Sequence, residues 1–161
     1  MYLVIAEKPS VARSIAEVLG ADQRKEGYLE GDNCQVSWCL GHLAGFAYPE
    51  RYEERYKNWN FEDLPIVPTQ WKVEVASDKK EQFYILKKLL NQPEIDYVVN
   101  ACDAGREGEL IFKHVYDLSK SGLPVKRLWI SSLEDEAIRE GFAHLKQAEE
   151  CQNLSNAAVC R

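Results

Sequence analysis

The sequence predicts an α/β fold: a mainly parallel central sheet flanked by helices, with an irregular insertion between about residues 21 and 76. Three observations carry this. The chain opens on an apolar run of strand length, Tyr2–Ala6, and passes directly into a helical pattern. After residue 76 the same alternation of strand and helix returns. The connections are short, as expected where each helix lies on a face of a parallel sheet.

Taken in order, Pro9 and Ser10 open the first helix, and Val11, Ile15, Val18 and Leu19 mark its buried face. Gly20 stands where that helix ends. Residues 28–30 and 35–40 flank Gly31-Asp32-Asn33 and read as a hairpin. The stretch 48–70 mixes aromatic and charged residues with Pro49, Pro65 and Pro68, so it reads as a surface excursion with little regular structure. Residues 71–75 alternate like a strand. A helix is expected over 78–90, with Phe83, Leu86 and Leu90 on one face and Asp78 and Glu81 spaced as a capping box. A strand over 96–102, a helix over 107–119 and a strand over 125–130 follow, and Gly122 and Pro124 stop the helix. Ser132 is expected to cap a last clear helix that buries Ile138, Phe142 and Leu145. Residues 1–150 thus read as one domain, and 151–161 as the start of a following one.

Composition narrows the function. A chain of 161 residues, 45% hydrophobic and 29% charged, suits one globular domain with a full core. No apolar run reaches membrane length, and the opening apolar run is too short for a signal-peptide core and lacks a basic region before it. A cytoplasmic protein without a membrane partner is expected. Five cysteines, Cys34, Cys39, Cys102, Cys151 and Cys160, form no CxxC pair and read as reduced thiols. The net charge of −6 opposes broad contact with a phosphate backbone. A nucleic-acid function therefore needs a local cation or a basic surface elsewhere. Trp59, Trp71 and Trp129 are read as core or half-buried side chains, because no basic residues cluster around them.

Two predicted strands end on acids. The first gives Glu7-Lys8-Pro9-Ser10, and the strand over 96–102 runs into Asp103-Ala104-Gly105-Arg106-Glu107-Gly108-Glu109. In an open parallel sheet, ligands sit beyond the carboxyl ends of the strands. If these two strands are neighbours, Glu7 and Asp103 face one crevice, and Glu107 in the first helical turn folds back toward it. Such carboxylates repel one another unless a cation joins them, and oxygen donors of this kind suit Mg²⁺ shared with a substrate phosphate. Lys8 and Arg106 stand beside the acids, within reach of that phosphate. Singly, Glu107 or Glu109 is accounted for by the helix dipole, and Glu7 by a solvated turn. Their conjunction with a DxxxE spacing and two adjacent bases describes a phosphoryl-transfer site.

These residues resemble the type IA DNA topoisomerases, the topoisomerase III group in particular. Ile5-Ala6-Glu7-Lys8-Pro9-Ser10 resembles the N-terminus of that family, and the segment 103–109 resembles its DxDREGE motif. Gly41-His42-Leu43, the strand Arg127-Leu128-Trp129-Ile130-Ser131-Ser132-Leu133 and Asn156-Ala157-Ala158 extend the resemblance over nearly the whole chain. It implies the Toprim fold, which is Rossmann-like. It implies that Glu7 does acid–base or metal work, that Asp103 and Glu107 bind metal with it, and that Lys8 and Arg106 act at the cleaved phosphate. His42 is implied to contact DNA, although a lone histidine after a strand is also accounted for by structural hydrogen bonding.

The implied reaction is Mg²⁺-assisted cleavage and religation of single-stranded DNA through a phosphotyrosine. The implied partners are single-stranded DNA and the remaining domains of a monomeric enzyme, nucleoid-associated if bacterial. None of the eight tyrosines here stands in a setting that resembles the nucleophile, which is expected in a separate domain. Gly105 departs from the pattern: many relatives have a second aspartate there, so one firmly held Mg²⁺ is expected rather than two. Glu109 is a candidate substitute, although its spacing from Glu107 points it to another helix face. Two other readings fit part of the pattern. A stand-alone Toprim nuclease or primase-like enzyme needs only the acidic cluster. A non-catalytic receiver-like module is opposed by Lys8-Pro9, where a second acid is expected.

Overall fold

In a computed structural model, which describes residues 1–159, the strands Tyr2–Ala6 (β1), Gln23–Lys25 (β2), Tyr28–Glu30 (β3) and Cys34–Trp38 (β4) enter one sheet. Ala44–Phe46 (β5) and Val73–Val75 (β6) make a separate pair. Tyr97–Ala101 (β7), Val125–Arg127 (β8) and Lys146–Gln147 (β9) complete the main sheet, whose order is β2-β3-β4-β1-β7-β8-β9. The four central strands β4, β1, β7 and β8 are parallel, and the antiparallel strands β2, β3 and β9 lie at the edges. Five helices accompany them: Pro9–Leu19 (α1), Lys80–Leu89 (α2), Arg106–Ser119 (α3), Asp135–Ala143 (α4) and Gln152–Val159 (α5).

β1 is apolar throughout because both its faces are covered, as in parallel sheets generally. Leu3 and Ile5 face one way and join Leu86 and Leu89 of α2 and Ile111 and Val115 of α3. Val4 and Ala6 face the other way and join Ala12 and Ile15 of α1 and Ile138 of α4. Helix α1 starts with Pro9 in its first turn and ends at Gly20, whose left-handed backbone (φ 73°) lets its N–H reach the carbonyls of Ala16 and Glu17.

The irregular insertion is narrower than the sequence suggests. Within it, residues 23–38 form three strands of the main sheet, the expected hairpin (β3–β4) among them, with β4 lying directly beside β1. β2 escapes a hydrophobic pattern because all three of its residues are exposed at an edge. The excursion proper runs between β5 and β6 and contains three single turns of 3₁₀ helix. Arg51 is paired there with Glu74 at 3.2 Å, and the Tyr52 hydroxyl accepts from the Lys72 N–H at 2.9 Å. The exposure there corrects the reading of its tryptophans. Trp59 is 80% and Trp71 59% exposed, and Trp129 beyond β8 is also exposed.

Two caps differ as well. Ser132 does not begin the last clear helix, whose N-cap is Glu134; its hydroxyl accepts from the Glu134 N–H at 3.2 Å instead. Asp78 sits in a short 3₁₀ turn ahead of α2, and no side chain caps that helix. Helix α5, Gln152–Val159, packs against α3, with Ala158 and the preceding Cys151 buried. Cys160 lies outside the described residues.

Candidate active site

The sheet order creates the site. β1 leads through α1 toward β4 on one side, and β7 leads through α3 to β8 on the other, so the chain diverges at the β1–β7 boundary. At such a switch point the loops part and leave a crevice at the carboxyl ends of the strands. Ala6 lies level with Ala101 of β7 and Trp38 of β4. Three loops therefore meet there: residues 7–8, 39–43 and 102–105, the last leading into the first turn of α3.

Glu7 is 8% exposed, and the site is built around it. One of its carboxylate oxygens accepts from the Asp103 N–H at 3.4 Å, and the other faces the Lys8 ammonium at 3.6 Å. Its own carbonyl accepts from the Gly41 N–H at 3.2 Å, which brings the 39–43 loop against the same point. The Lys79 ammonium braces that loop by donating to the carbonyls of Leu40 (2.9 Å) and His42 (3.0 Å). His42 in turn lies 3.1 Å from Glu107, so the motif around His42 meets the acidic segment in space although 65 residues separate the pair in sequence. Asp103, Arg106 and Glu107 are exposed at the rim, and Lys8 is half-exposed beside them. A cleft of about 400 Å³ opens next to Asp103 between Val11, Leu128, Ile130 and Ser132. A second, of about 460 Å³, runs from His42 past Phe46, Tyr48, Arg51 and Lys80.

The donor chemistry fits a hard divalent cation, since the acids at the crevice offer only oxygens. Among the described residues, however, no three His, Cys, Asp or Glu side chains converge into a ready cage. The arrangement is an open partial shell, suited to an ion that keeps waters and shares its coordination with a phosphate. Glu109 does not belong to it. Its side chain turns inward and accepts from Arg127 at 2.6 Å, as the helical spacing anticipated.

Sequence reasoning missed what lies beneath the acids. Arg127, 1% exposed, reaches under the 100–103 segment from β8. Gly108 is required by contact, because a Cβ there would collide with the Asp103 carbonyl. A glycine inside a helix of good helix formers is the signal that could have marked it. Cys39 and Cys102 sit side by side below the crevice, and the Cys102 thiol is pushed well above its ordinary range by its hydrogen bond to Cys39 and by burial.

The family model described as the Toprim domain matches residues 2–133. Over 159 residues, 99% of the chain, the sequence is 48% identical to DNA topoisomerase 3 of Bacillus cereus. Over the same length it is 47% identical to DNA topoisomerase 3 of Staphylococcus epidermidis. The chain spans 22% of the length of these curated relatives. Full-length topoisomerase I from Thermotoga maritima shares the fold, with a TM-score of 0.60 at 19% identity over 92% of this chain and 21% of that one.

Proposed function

Since this chain belongs to the Toprim domain family, we propose that it supplies the cation-and-phosphate half of the active site of a type IA DNA topoisomerase of the topoisomerase 3 kind. The observation that carries this reading is the meeting of Glu7 and Asp103 at the ends of adjacent parallel strands, joined by the Asp103 N–H. Glu7, Asp103 and Glu107 would hold Mg²⁺, which when bound offsets the charge of the scissile phosphate.

Lys8 and Arg106 bind the phosphate oxygens from the rim. Glu7, shielded from water and beside Lys8, holds the position from which a carboxylate exchanges a proton with the attacking or leaving hydroxyl. His42, bonded to Glu107, orients that acid and meets the single-stranded DNA at the same edge. The attacking tyrosine comes from another domain of a monomeric cytoplasmic enzyme. Residues 1–150 form the domain, and 151–161 lead toward the next. Covalent storage of the broken bond on that tyrosine makes religation independent of ATP.

In the full-length protein, Glu7→Gln is expected to reduce plasmid relaxation by at least about 100-fold, the lower range for a general acid–base group, while the melting temperature stays within a few degrees. The 161-residue chain alone is expected to leave supercoiled plasmid unchanged. Relaxation by the chain alone overturns the division of labour, and metal-dependent nicking of single-stranded DNA by it favours a nuclease.

A further inference from the structure

Arg127 is the largest fully buried side chain among the described residues. Its Nε donates to Glu109 at 2.6 Å. Nη1 donates to the carbonyls of Cys102 and Leu128, both at 2.7 Å, with that of Asn100 at 3.0 Å. Nη2 donates to the Asp103 carbonyl at 2.7 Å. Three of these four carbonyls belong to the segment that ends β7 and becomes the acidic loop.

We infer that Arg127 is a positioning residue for the cation site, acting through the main chain of Asp103. The inference rests on the proposed reading, in which Asp103 holds the cation. Both peptide groups flanking the Asp103 Cα are fixed: its N–H by Glu7 and its C=O by Arg127. With both peptide planes held, the direction of the Cα–Cβ bond is held too, and the carboxylate starts from the edge of the crevice nearest Glu7. Gly108 completes the arrangement, since its bare Cα lets α3 lie against that same carbonyl without displacing the guanidinium.

Stability alone does not call for this residue. A buried ion pair carries a large desolvation penalty, and apolar replacements of similar volume are often neutral or stabilising. A guanidinium instead offers five N–H donors in one rigid plane; here Nε takes the Glu109 carboxylate, Nη2 the Asp103 carbonyl, and the two N–H of Nη1 are shared among three carbonyls. A lysine ammonium has three donors on one nitrogen and cannot span them. Arg127 and Glu109 thus act as a template that sets the loop before any ion arrives.

The test uses this chain with Mn²⁺ as the probe, titrated by calorimetry and by paramagnetic broadening, alongside amide hydrogen exchange over 102–105. Arg127→Lys is expected to weaken Mn²⁺ binding about 10–100-fold, the range for partners behind metal ligands, and to speed exchange in the loop. Glu109→Gln keeps an acceptor for Nε and gives a smaller loss in the same direction, which covers the case in which Arg127→Lys fails to fold. Leu89→Ala, in the core and away from the loop, lowers the melting temperature and leaves Mn²⁺ affinity within about twofold of wild type. Wild-type Mn²⁺ affinity together with wild-type loop exchange in both Arg127→Lys and Glu109→Gln overturns the inference. A wild-type chain that takes up no Mn²⁺ sinks the cation reading instead. Arg127 is then judged by exchange alone, where unchanged protection of 102–105 sinks it too.

Discussion

Gly105 sits at the start of α3 with an extended backbone (φ 176°, ψ 176°), a conformation open to any residue, and a Cβ added there would meet nothing within 4 Å. Its presence therefore reflects no steric demand, unlike Gly108 three residues on, which the Asp103 carbonyl excludes from bearing a side chain. The shell is short of an acid where there is room for one. Calorimetry of the wild-type chain with Mg²⁺ is expected to find one site, and two tight sites would contradict the expected effect of a missing ligand. Gly105→Asp is expected to fold normally and to tighten cation binding by on the order of tenfold, since affinity rises with the charge of the donor set. Unchanged affinity in that variant would place the cation away from the first turn of α3.

Among elements, the site depends on β4 and α2 as much as on the two strands that carry the acids. The Gln82 amide nitrogen on α2 lies within hydrogen-bonding reach of the carbonyls of Gly27 (3.2 Å) and Trp38 (2.8 Å) and of the Ser37 hydroxyl (3.2 Å), stitching the helix to the hairpin and to the end of β4. Gln82→Ala leaves buried acceptors without a donor and is expected to lower stability by roughly 1–3 kcal/mol, measured by urea unfolding. The loop 39–43 follows directly from β4, so its amides should exchange faster in the variant as well. The acids were legible in the sequence because each closes an apolar run that a parallel sheet must bury, whereas the adjacency of β1 and β7 stood there only as a condition, which the strand pairing meets. The placement of β4 beside β1 was not legible, since strand order is a long-range property. Nor was Arg127: in a short strand of mixed exposure, a basic residue reads as solvated until the carbonyls it serves are seen in space. Ser132 misled for a different reason. The chain runs on irregularly past β8, so the last helix starts later than a capping residue suggested.

For the molecule as a whole, stability should depend on pH through His114. Burial holds its pKa below the ordinary histidine value, against the opposing pull of a hydrogen bond to the Ala44 carbonyl at 3.3 Å. It also meets the Phe46 ring edge-on and so fastens β5 to α3. The unfolded chain then takes up the proton first as pH falls through about 6.5, and the linkage favours unfolding. Stability is expected to be full above that value and to decline below it, with the decline shallower in His114→Phe; equal slopes between pH about 7.5 and 5.5 would remove His114 as its cause. The pair of thiols beneath the crevice has another consequence. Cys39 is 0% and Cys102 3% exposed, and the raised pKa of Cys102 leaves little thiolate to react. In the closed molecule a thiol reagent has no access to either position, so its rate of reaction there reports how often the floor of the crevice opens. The chain carries its own clock for that breathing. A bound cation should slow it, loosening of the 102–105 loop should speed it, and mass spectrometry of the labelled peptides reads it directly.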